Sequence, residues 1–518
     1  QGQRVLVVFR MVSSSKSPQL NGAWMTFVSI MFLMLAAGTI YGFGLWSTLL
    51  KMPHGYGMDQ VHVSSLSLAA SLGEYFAIDI GVFVTTFGTI AGFSLGCFLC
   101  SLGYFCLWLS TGHYNGLVPF PLLVVFCFLY GHGCGFIVNS SMTEVLRNFD
   151  NLAGYATGSM KAHFGLATAT MTVIYYAAFE GMPSNYLLFL SMYTMVVGAI
   201  FIPVIYATRG RCEEKRSTGT LKFQILCAGI AFFALACFAL QLLSDSLSST
   251  AWKLVLLALF CLSSLPFLLA RAGWETPEDS RILRATSEDE AGTAHPDDVS
   301  GFGILCRMDF YLLFAALTIS QGASLLVISN SAQILPAFAG GPIDTTGFVG
   351  MLSVSGCYGR LFFGGVSDAL AATVNRPWWV VVACVIIGIS HLVLCTGDLR
   401  LVYVGAAAVS FGYGGIFGVL AAFVKELFGM KDIAVKLGIV ACAAGAGSLL
   451  FSTLLAGKLY DREATRLGTS PNCYQPSCFQ PAFLTCAICS LVAVFFAATV
   501  AYRTKWIYSS KDTSRKQS

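Results

Sequence analysis

Apolar and polar positions are segregated along this chain into long blocks. Fourteen apolar stretches of roughly 20 residues fill most of its 518 residues, and short polar segments separate them. A stretch of about 20 apolar residues lets a helix cross the hydrocarbon core of a bilayer, where only structures that satisfy their own backbone hydrogen bonds are stable. The pattern therefore predicts an all-α, polytopic membrane protein.

The predicted spans end where the apolar runs end. In chain order they are Trp24–Leu49, Val61–Phe87, Thr89–Leu109, Pro119–Leu146, Ala153–Phe179, Tyr186–Ala207, Phe223–Leu242, Ala251–Ala270, Phe310–Ile334, Thr346–Val366, Pro377–Cys395, Leu401–Leu427, Ile433–Gly457 and Pro481–Ala501. Spans 2 and 3 almost touch, and span 7 is short and ends in a Ser-rich break. Twelve spans are the alternative count.

The composition excludes a water-soluble globular protein. Hydrophobic residues make up 56% of the chain and charged residues only 11%, whereas soluble domains carry about 25% charged residues. A chain with so few charges cannot cover a surface that faces water. Most of its surface must therefore face lipid.

Lysine and arginine are distributed unevenly between the two sides of the predicted bundle. Most of the 30 basic residues lie on the side of the termini, with concentrations in 209–222 and 503–516. Because basic residues accumulate in cytoplasmic loops, both termini are predicted to be cytoplasmic. The net charge of +4 then reflects topology, and no nucleic-acid partner is indicated. The plasma membrane is the favoured location, with an organelle membrane as the alternative.

The polar breaks divide the chain into six, two and six spans. The longest break, Arg271–Met308, is rich in Glu, Asp, Ser, Thr and Pro, which predicts a disordered cytoplasmic linker. The predicted organisation is a cytoplasmic tail at 1–22, a six-helix bundle at 23–208, a basic loop with two extra helices at 209–270, the linker at 271–308, a second six-helix bundle at 309–502, and a basic cytoplasmic tail at 503–518. Two six-helix halves joined by a cytoplasmic linker resemble the layout of the major facilitator superfamily.

A glycine-rich motif at the end of span 10 strengthens this resemblance. It reads Ser355-Gly-Cys-Tyr-Gly-Arg-Leu-Phe-Phe-Gly-Gly-Val-Ser-Asp368 and contains Gly359, Arg360 and Gly364. It is similar to the superfamily's signature loop between the second and third helices of a half. The resemblance implies a gating motif, so we expect Arg360 and Asp368 to hydrogen-bond cytoplasmic helix ends. The alternative is that Arg360 only anchors the helix orientation.

The matching segment in the first half departs from the superfamily pattern. It reads Gly81-Val-Phe-Val-Thr-Thr-Phe-Gly-Thr-Ile and lacks the expected Asp-Arg pair. The resemblance therefore leaves a gating latch to the second half alone.

Several motifs resemble the nodulin-like transporters within this superfamily. They include Gly73-Glu74, Arg147-Asn-Phe149, Gly158-Ser-Met-Lys161, Asp309-Phe-Tyr-Leu-Leu-Phe, Ser329-Asn-Ser-Ala-Gln333, Gly412-Tyr-Gly-Gly, Lys425-Glu-Leu-Phe-Gly429, Ala446-Gly-Ser-Leu-Leu-Phe-Ser and Ala456-Gly-Lys-Leu-Tyr-Asp461. They extend from about Trp24 to Tyr508 and are weakest in the two extra spans. The resemblance implies a transporter that moves a small polar organic solute by alternating access, driven by protons or facilitative.

In this superfamily the first and fourth helices of each half line the cavity, which here are spans 1, 4, 9 and 12. The polar residues that we expect to line it are Tyr41, His132, Asn139, Gln321, Asn330, Gln333 and Tyr413. We expect Asn139 and Asn330 to point inwards from opposite halves at similar depth. The alternative for each residue is a hydrogen bond between helices, as polar side chains in membrane bundles commonly make.

Three charged residues inside predicted spans are candidates for proton coupling. Glu74 and Asp79 lie in span 2, and Lys161 lies near the start of span 5. Ionisable groups within the membrane are costly and often mark transport pathways. For Lys161 the alternative is a cytoplasmic anchor whose long side chain extends to the interface.

Other chemistry is weakly indicated. The loop before span 14 contains Cys473 and Cys478, which form either a disulfide in an oxidising compartment or two free thiols. No nucleotide-binding GxxxxGK[ST] loop, HExxH motif or nucleophile elbow is present, so we expect neither an enzyme nor a cofactor or metal site.

The expected partners are the lipid bilayer, a small solute and a co-transported proton, with the protein monomeric. A non-transporting sensor or receptor of the same fold is the alternative function.

Overall fold

The computed structural model describes residues 22–51, 56–58, 60–112, 114, 116–179, 181–208, 216–242, 298–371, 373–469 and 472–508. The described residues form helices joined by short turns, with no strand among them. The predicted span 8, most of the 271–308 linker, the N-terminal tail and the C-terminal tail beyond residue 508 lie outside the described residues. The span numbers used above are kept for the corresponding helices.

The first half consists of six spans. Span 1 comprises Gly22–Ala37, a 3₁₀ turn at Gly38–Gly42 and Gly44–Lys51, and span 2 comprises Gln60–Tyr75 and Ile78–Phe87. Spans 3 to 6 are Thr89–Gly112, Phe120–Asn148, Ala153–Ala178 and Pro183–Thr208. The helices match the apolar runs closely because lipid solvates only the apolar part of each helix.

The later spans follow the same rule. Span 7 is Arg216–Leu242, span 9 comprises Met308–Ser329 and Ser331–Ala339, and spans 10 to 12 are Thr346–Ala369, Pro377–Leu394 and Leu399–Phe428. Span 13 joins Ile433–Gly447, a π-helical segment at Ser448–Gly457 and Lys458–Arg466, and span 14 is Gln480–Arg503. Eleven of the described helices are long and apolar enough to cross a membrane. Spans 5 and 10 are of similar length, with 26 and 24 residues.

Span 1 begins, and span 14 ends, at the same end of the bundle, which we call the terminal face. Thr26 of span 1 bonds Thr208 at the end of span 6, with 3.1 Å between the two hydroxyl oxygens. Arg503 at the end of span 14 donates to the carboxylate of Asp309 at the start of span 9. These contacts fix the ends of non-consecutive spans at one level.

The two halves meet most closely where spans 5 and 10 cross near the terminal face. A methyl group added at Gly158 would lie 2.7 Å from the carbonyl oxygen of Arg360, and one added at Gly364 would lie 2.5 Å from the carbonyl oxygen of Gly154. The two backbones therefore touch, and only glycine fits. Small residues permit such close helix crossings in membranes, where packing replaces the hydrophobic effect as the driving force.

A second contact between the halves joins spans 2 and 13 on the other side of the bundle. Gly81 packs on the backbone of Ala434, and Gly438 packs on the carbonyl oxygen of Ala77. Asn139 of span 4 donates its side-chain N–H to the carbonyl oxygen of Ala434 at 3.0 Å. Residues 434 and 438 lie in the first turns of span 13, so this contact also lies near the terminal face.

The segments at the opposite face pack mainly within their own half. The helix Gly44–Lys51 lies against spans 2 and 6, and Ser331–Ala339 lies against spans 9, 10 and 12. In the described part of the chain the close backbone contacts between the halves therefore lie towards the terminal face. We call the other end, where these two segments pack mainly on their own halves, the open end.

Span 7 lies outside the two bundles, on the line where spans 5 and 10 meet, which we call the seam. One side of the helix is buried, through Phe223, Leu226 and Ile230, whereas Phe232 and Leu235 on the other side are exposed. It contacts span 5 of the first half and span 10 of the second. Of the two extra spans, the one that is described thus flanks the seam and does not line the centre.

We predict that Gly364→Val loosens the terminal face. Overpacking a tight contact costs about 1–3 kcal/mol, so the closed arrangement should lose roughly 5- to 150-fold in relative population. Hydrogen–deuterium exchange of peptides covering 153–165 and 355–369 should accelerate accordingly. Gly44→Ala is the matched control, because no atom lies within 4 Å of an added methyl group there. Unchanged exchange in Gly364→Val would contradict a backbone contact between the halves.

Candidate functional site

Three tyrosines form a chain of hydroxyl groups across the centre of the molecule. The Tyr41 and Tyr75 oxygens are 3.3 Å apart, and the Tyr75 and Tyr413 oxygens are 3.1 Å apart. Tyr41 and Tyr75 belong to spans 1 and 2, and Tyr413 to span 12, so the chain connects the two halves. Tyr75 and Tyr413 also pack with Leu325 and Ala444 in one buried cluster.

Lys161 of span 5 lies beside this chain. Its ammonium nitrogen is 4.7 Å from the ring centre of Phe164 and 5.2 Å from that of Phe417 on span 12. Aromatic faces attract a desolvated cation through their quadrupole. The two rings, one from each half, therefore hold Lys161 at the boundary between the halves.

Arg360 of span 10 reaches the same region from the other half. A methyl group added at Gly165 of span 5 would lie 2.5 Å from its Nη1 atom, and one added at Gly356 would lie 3.2 Å from that atom. The guanidinium group therefore extends back along its own helix and across the seam, into space left by a glycine of the first half. Its Nε atom has no hydrogen-bond partner among the described residues.

Glu74 of span 2 completes the group of buried charges. Its carboxylate is within electrostatic range of both Lys161 and Arg360. The exposed fractions of Glu74, Lys161 and Arg360 are only 5%, 3% and 5%. Within the described chain none of the three forms an ion pair at 4.0 Å or less, because every ion pair found there joins other residues.

These residues lie deep within the bundle. Lys161 is eight residues from the start of span 5, and Arg360 is nine from the end of span 10, which places both about 12–14 Å from the terminal face at 1.5 Å per residue. Tyr413 is 15 residues from the end of span 12, or about 22 Å from that face. The cations therefore lie closer to the closed end, and the hydroxyl chain lies between them and the open end. We call the six residues Tyr41, Glu74, Tyr75, Lys161, Arg360 and Tyr413 the central cluster.

A separate polar network lies at the terminal face. Asp368, at the end of span 10, accepts 2.7 Å and 2.8 Å hydrogen bonds from the backbone N–H of Tyr155 and from Arg376. Arg376 also donates to both oxygens of Glu426 at 3.1 and 3.2 Å, and the hydroxyl of Tyr508 donates to Glu426 at 2.7 Å. Since Tyr155 lies in the first turn of span 5, its exposed N–H is a natural partner for a carboxylate.

Lys425 and Lys436 add further bonds at this face. Lys425 donates to the carbonyl oxygen of Leu146 at 3.0 Å and to the carboxylate of Asp150, both in the first half. Lys436 is fully buried and donates to two backbone carbonyl oxygens at the end of span 12. Asp368 and Lys425 thus carry charge-assisted bonds from the second half to the first.

The expectation that Asn139 and Asn330 face each other is wrong. Asn139 is nine residues from the end of span 4, about 13 Å from the terminal face, whereas Asn330 is 22 residues beyond the start of span 9, about 33 Å from it. Asn330 donates to Leu326 and Ser452 of its own half. It lies at the break in span 9, where its side chain compensates for the interrupted backbone hydrogen bonding.

The remaining candidates divide between the centre and the helix packing. His132 of span 4 donates its Nδ1–H to the carbonyl oxygen of Gly73 at 3.0 Å, and its Nε2 atom lies 3.1 Å from the carboxylate of Asp79, both on the span 2 side. The Asp79 side chain is 59% exposed, so this pair lies apart from the central cluster. Gln321 is buried and Gln333 half-buried, and the side-chain oxygen of each has no partner in the described chain.

Residues of the glycine-rich motif in span 10 contact both halves of the molecule. Gly364 packs against span 5, but Gly359 packs against Phe411 of span 12, within its own half. Asp368 meets a helix end of the opposite half, as expected for this motif. Arg360 does not, because a helical side chain points back towards the N-terminus of its helix, which here means away from the terminal face. Arg376, and not Arg360, is the arginine that pairs with Asp368.

Three further side chains are placed by local chemistry. Cys473 and Cys478 are joined by a disulfide in the loop before span 14, at the opposite face. His391 of span 11 is buried and bonds the carbonyl oxygens of Ile387 and Ala323, which is a helix-packing arrangement. No group of three or more potential metal ligands is found within the described ranges.

Several residues of these two sites carry little signal in the sequence. Tyr75 follows Glu74 directly, but its aromatic ring resembles one more apolar position. Arg376 and Glu426 lie near span ends, where charged residues are ordinary, and Phe417 has no polar atom to mark it. For Arg376 a signal was available, because an arginine directly before Pro377 begins a helix beside the Asp368 motif.

Two family models match the chain. The model described as Nodulin-like matches residues 23–270, and the model described as NFD4, C-terminal domain, matches residues 297–510. Together they cover both halves and the extra span between them. A search of curated proteins finds no match.

Solved structures of low sequence identity share the fold. One is the major facilitator superfamily transporter FucP in the outward conformation, which is 12% identical with a TM-score of 0.52, over 92% of this chain and 98% of that one. Another is the proton:xylose symporter XylE bound to 6-bromo-6-deoxy-D-glucose, 12% identical with a TM-score of 0.59, over 92% and 95%. At such identity the likeness is one of fold.

We predict that the hydroxyl chain couples the halves energetically. Tyr75→Phe leaves the hydroxyls of Tyr41 and Tyr413 without their shared partner, which costs about 1–3 kcal/mol. Melting temperatures of the purified single and double variants should show that Tyr413→Phe is less harmful once Tyr75→Phe is present. Tyr104→Phe is the control, because Tyr104 bonds Thr39 within the first half. Its effect should add to that of Tyr413→Phe, and additivity in the Tyr75 pair would refute the coupling.

Proposed function

Because this chain belongs to the nodulin-like branch of the major facilitator superfamily, we propose that it is a secondary transporter that moves a small polar organic solute by alternating access. The same membership favours a transporter over an enzyme. The chain is a multi-pass integral membrane protein.

The observation that carries the proposal is the central cluster, which lies between two halves whose close backbone contacts are towards the terminal face. Isolated charges in mid-membrane are costly and are retained where they serve a pathway. Here Glu74, Lys161 and Arg360 come from spans of both halves and bond none of the groups that usually neutralise buried charges. A solute that enters from the open end would meet the tyrosine hydroxyls first and the buried cations behind them.

The terminal-face network supplies the second requirement of alternating access, which is a closure that can break. The bonds of Asp368 to Tyr155 and of Lys425 to Leu146 cross between the halves. Charge-assisted hydrogen bonds contribute about 1.5–3 kcal/mol each. A few such bonds shift the conformational equilibrium strongly towards the state in which the terminal face is closed. A solute that binds the other state more tightly can outweigh them.

We further propose that the termini are cytoplasmic and that the open end faces the exterior or a lumen. The excess of Lys and Arg near the terminal face supports this orientation. The Cys473–Cys478 disulfide supports it independently, because it lies at the opposite face and disulfides persist in oxidising compartments. We favour the plasma membrane and a monomer.

The alternative is a sensor that binds a solute without moving it. Uptake of radiolabelled organic anions, vitamins and nucleobases into proteoliposomes holding the purified chain separates the two. Saturable uptake of one solute supports transport. Binding without uptake, in vesicles that retain a co-reconstituted marker transporter's activity, supports the sensor and sinks the transport proposal.

We predict that Asp368→Asn slows initial uptake by about tenfold at equal surface expression. The substitution removes the negative charge that strengthens the bond from Tyr155 across the halves, and it also removes the ion pair with Arg376 that orients this side chain. A loss of 1.4 kcal/mol corresponds to a factor of ten. Asp461→Asn is the matched control, because Asp461 is exposed at the opposite face. Equal rates in the two variants would show that the network is not part of the cycle.

We predict that Glu74 couples transport to protons. In the wild type, an inward proton gradient should accelerate uptake, since a desolvated carboxylate can take up a proton when a bound solute engages the cations that otherwise stabilise its charge. Glu74→Gln should abolish the dependence on the gradient while leaving exchange at equal pH measurable. Asp79→Asn, whose carboxylate lies outside the central cluster, should keep the gradient dependence. If Asp79→Asn loses it and Glu74→Gln does not, the assignment is reversed.

A further inference from the structure

The central cluster carries an unbalanced charge. It contains two cations, Lys161 and Arg360, and one carboxylate, Glu74, and all three are almost fully buried. Its other members, the three tyrosines, are neutral. One positive charge therefore remains without a counter-charge in the buried centre of the bundle, where the dielectric constant is low and Coulomb interactions are strong.

Other buried charged side chains in the described chain have partners close by, whereas the Nε atom of Arg360 has none there. Asp368 and Arg376 bond each other at 2.8 Å, and Glu144 accepts a 2.8 Å bond from a threonine hydroxyl. Lys436 donates to two carbonyl oxygens, and Lys222 lies 5.4 Å from the centre of a tryptophan ring. At these positions, neighbouring groups of the protein stabilise each buried charge.

Hydrogen-bond donors also exceed acceptors in the central cluster. A guanidinium group has five N–H donors and an ammonium group three, and neither accepts. The three tyrosine hydroxyls have three protons but only two contacts among them, so at least one proton remains. The one carboxylate offers the only strong acceptors. A ligand that complements this site must supply acceptors and negative charge.

Arg360 has the geometry of a carboxylate receptor. Its Nε atom is buried without a partner in the described structure, and its Nη1 atom is held beside Gly165 of the opposite half. The guanidinium fork binds carboxylates through two parallel hydrogen bonds. The ammonium group of Lys161, held by an aromatic ring from each half, supplies a second, less directional charge.

We propose that the solute of the central cluster is an organic anion whose carboxylate is bound by Arg360 and Lys161. This inference rests on the proposed function, because it names the chemical class of solute for the same site. Glu74 compensates one cation in the empty state, and the solute compensates the other. A neutral solute would leave the extra charge buried and unpaired, and a cationic solute would add to it.

Matched pairs of carboxylates and amides test the solute class. Lactate and lactamide, nicotinate and nicotinamide, and succinate and succinamide differ mainly in charge, and choline serves as the cationic probe. The purified full chain is assayed for thermal stabilisation and, in proteoliposomes, for uptake. We expect stabilisation and uptake by at least one carboxylate, with its amide weaker by at least tenfold, because charge-assisted bonds of this kind change affinity by about 10- to 150-fold.

Three variants test the role of Arg360. Arg360→Gln should weaken carboxylate binding about 10- to 100-fold, and Arg360→Lys should recover part of it because the charge remains without the fork. Gly165→Ala should weaken binding while all charges stay in place, since the added methyl group displaces the guanidinium. Arg400→Gln removes an exposed arginine on span 12 and should change nothing. Gly165→Ala keeps the test valid should Arg360→Gln fail to fold.

The outcomes separate this inference from the proposed function. Transport of an amide or of choline at rates equal to or above those of the carboxylates overturns the anion assignment and leaves transport standing. Carboxylate binding that is lost in Arg360→Gln, without any uptake, supports the anion site and overturns transport. Carboxylate binding unaffected in both Arg360→Gln and Gly165→Ala refutes the site assignment, and a panel with neither binding nor uptake contradicts both proposals.

Discussion

The backbone contact between spans 5 and 10 is the constraint on which the rest of the molecule depends. Gly154 and Gly158 on one helix and Gly364 on the other leave no room for a side chain between them. In lipid such a contact gains little from the hydrophobic effect and depends on close packing. It therefore exists only where the two surfaces fit, and it separates again without exposing a large apolar surface to water.

The same contact sets both the closure and the central cluster. Because span 10 lies directly against span 5, Asp368 reaches the first turn of span 5, and two turns earlier Arg360 reaches Gly165. One helix thus presents a carboxylate to the terminal face and a guanidinium to the centre. A movement that separates the helices changes both at once, which links the occupancy of the centre to the state of the closure through a rigid element.

The spans and the arrangement of two bundles could be predicted because the bilayer imposes them on every helix. The breaks within the helices could not be predicted. Span 2 is interrupted between Tyr75 and Ile78, and span 9 at Asn330, although the apolar runs continue through both. The directions of the side chains could not be predicted either. Lys161 and Arg360 stand out as charges within apolar runs, but hydropathy indicates only the depth of a residue and not the helix face on which it lies. Tyr75 and Phe417 lacked any signal, since aromatic residues are ordinary in a membrane helix.

Span 7 covers the seam on the side that faces the lipid. Its buried side covers the line between spans 5 and 10, and the hydroxyl of Tyr358 on span 10 donates to its Ala231 carbonyl oxygen at 3.0 Å. Without such a cover, acyl chains would border the line along which the two halves meet. A helix in that position excludes them, and because its apolar side chains exchange protein for lipid at little cost, it does so without locking the joint. The line of contact between the halves is thereby separated from the bilayer by a helix that belongs to neither six-helix half.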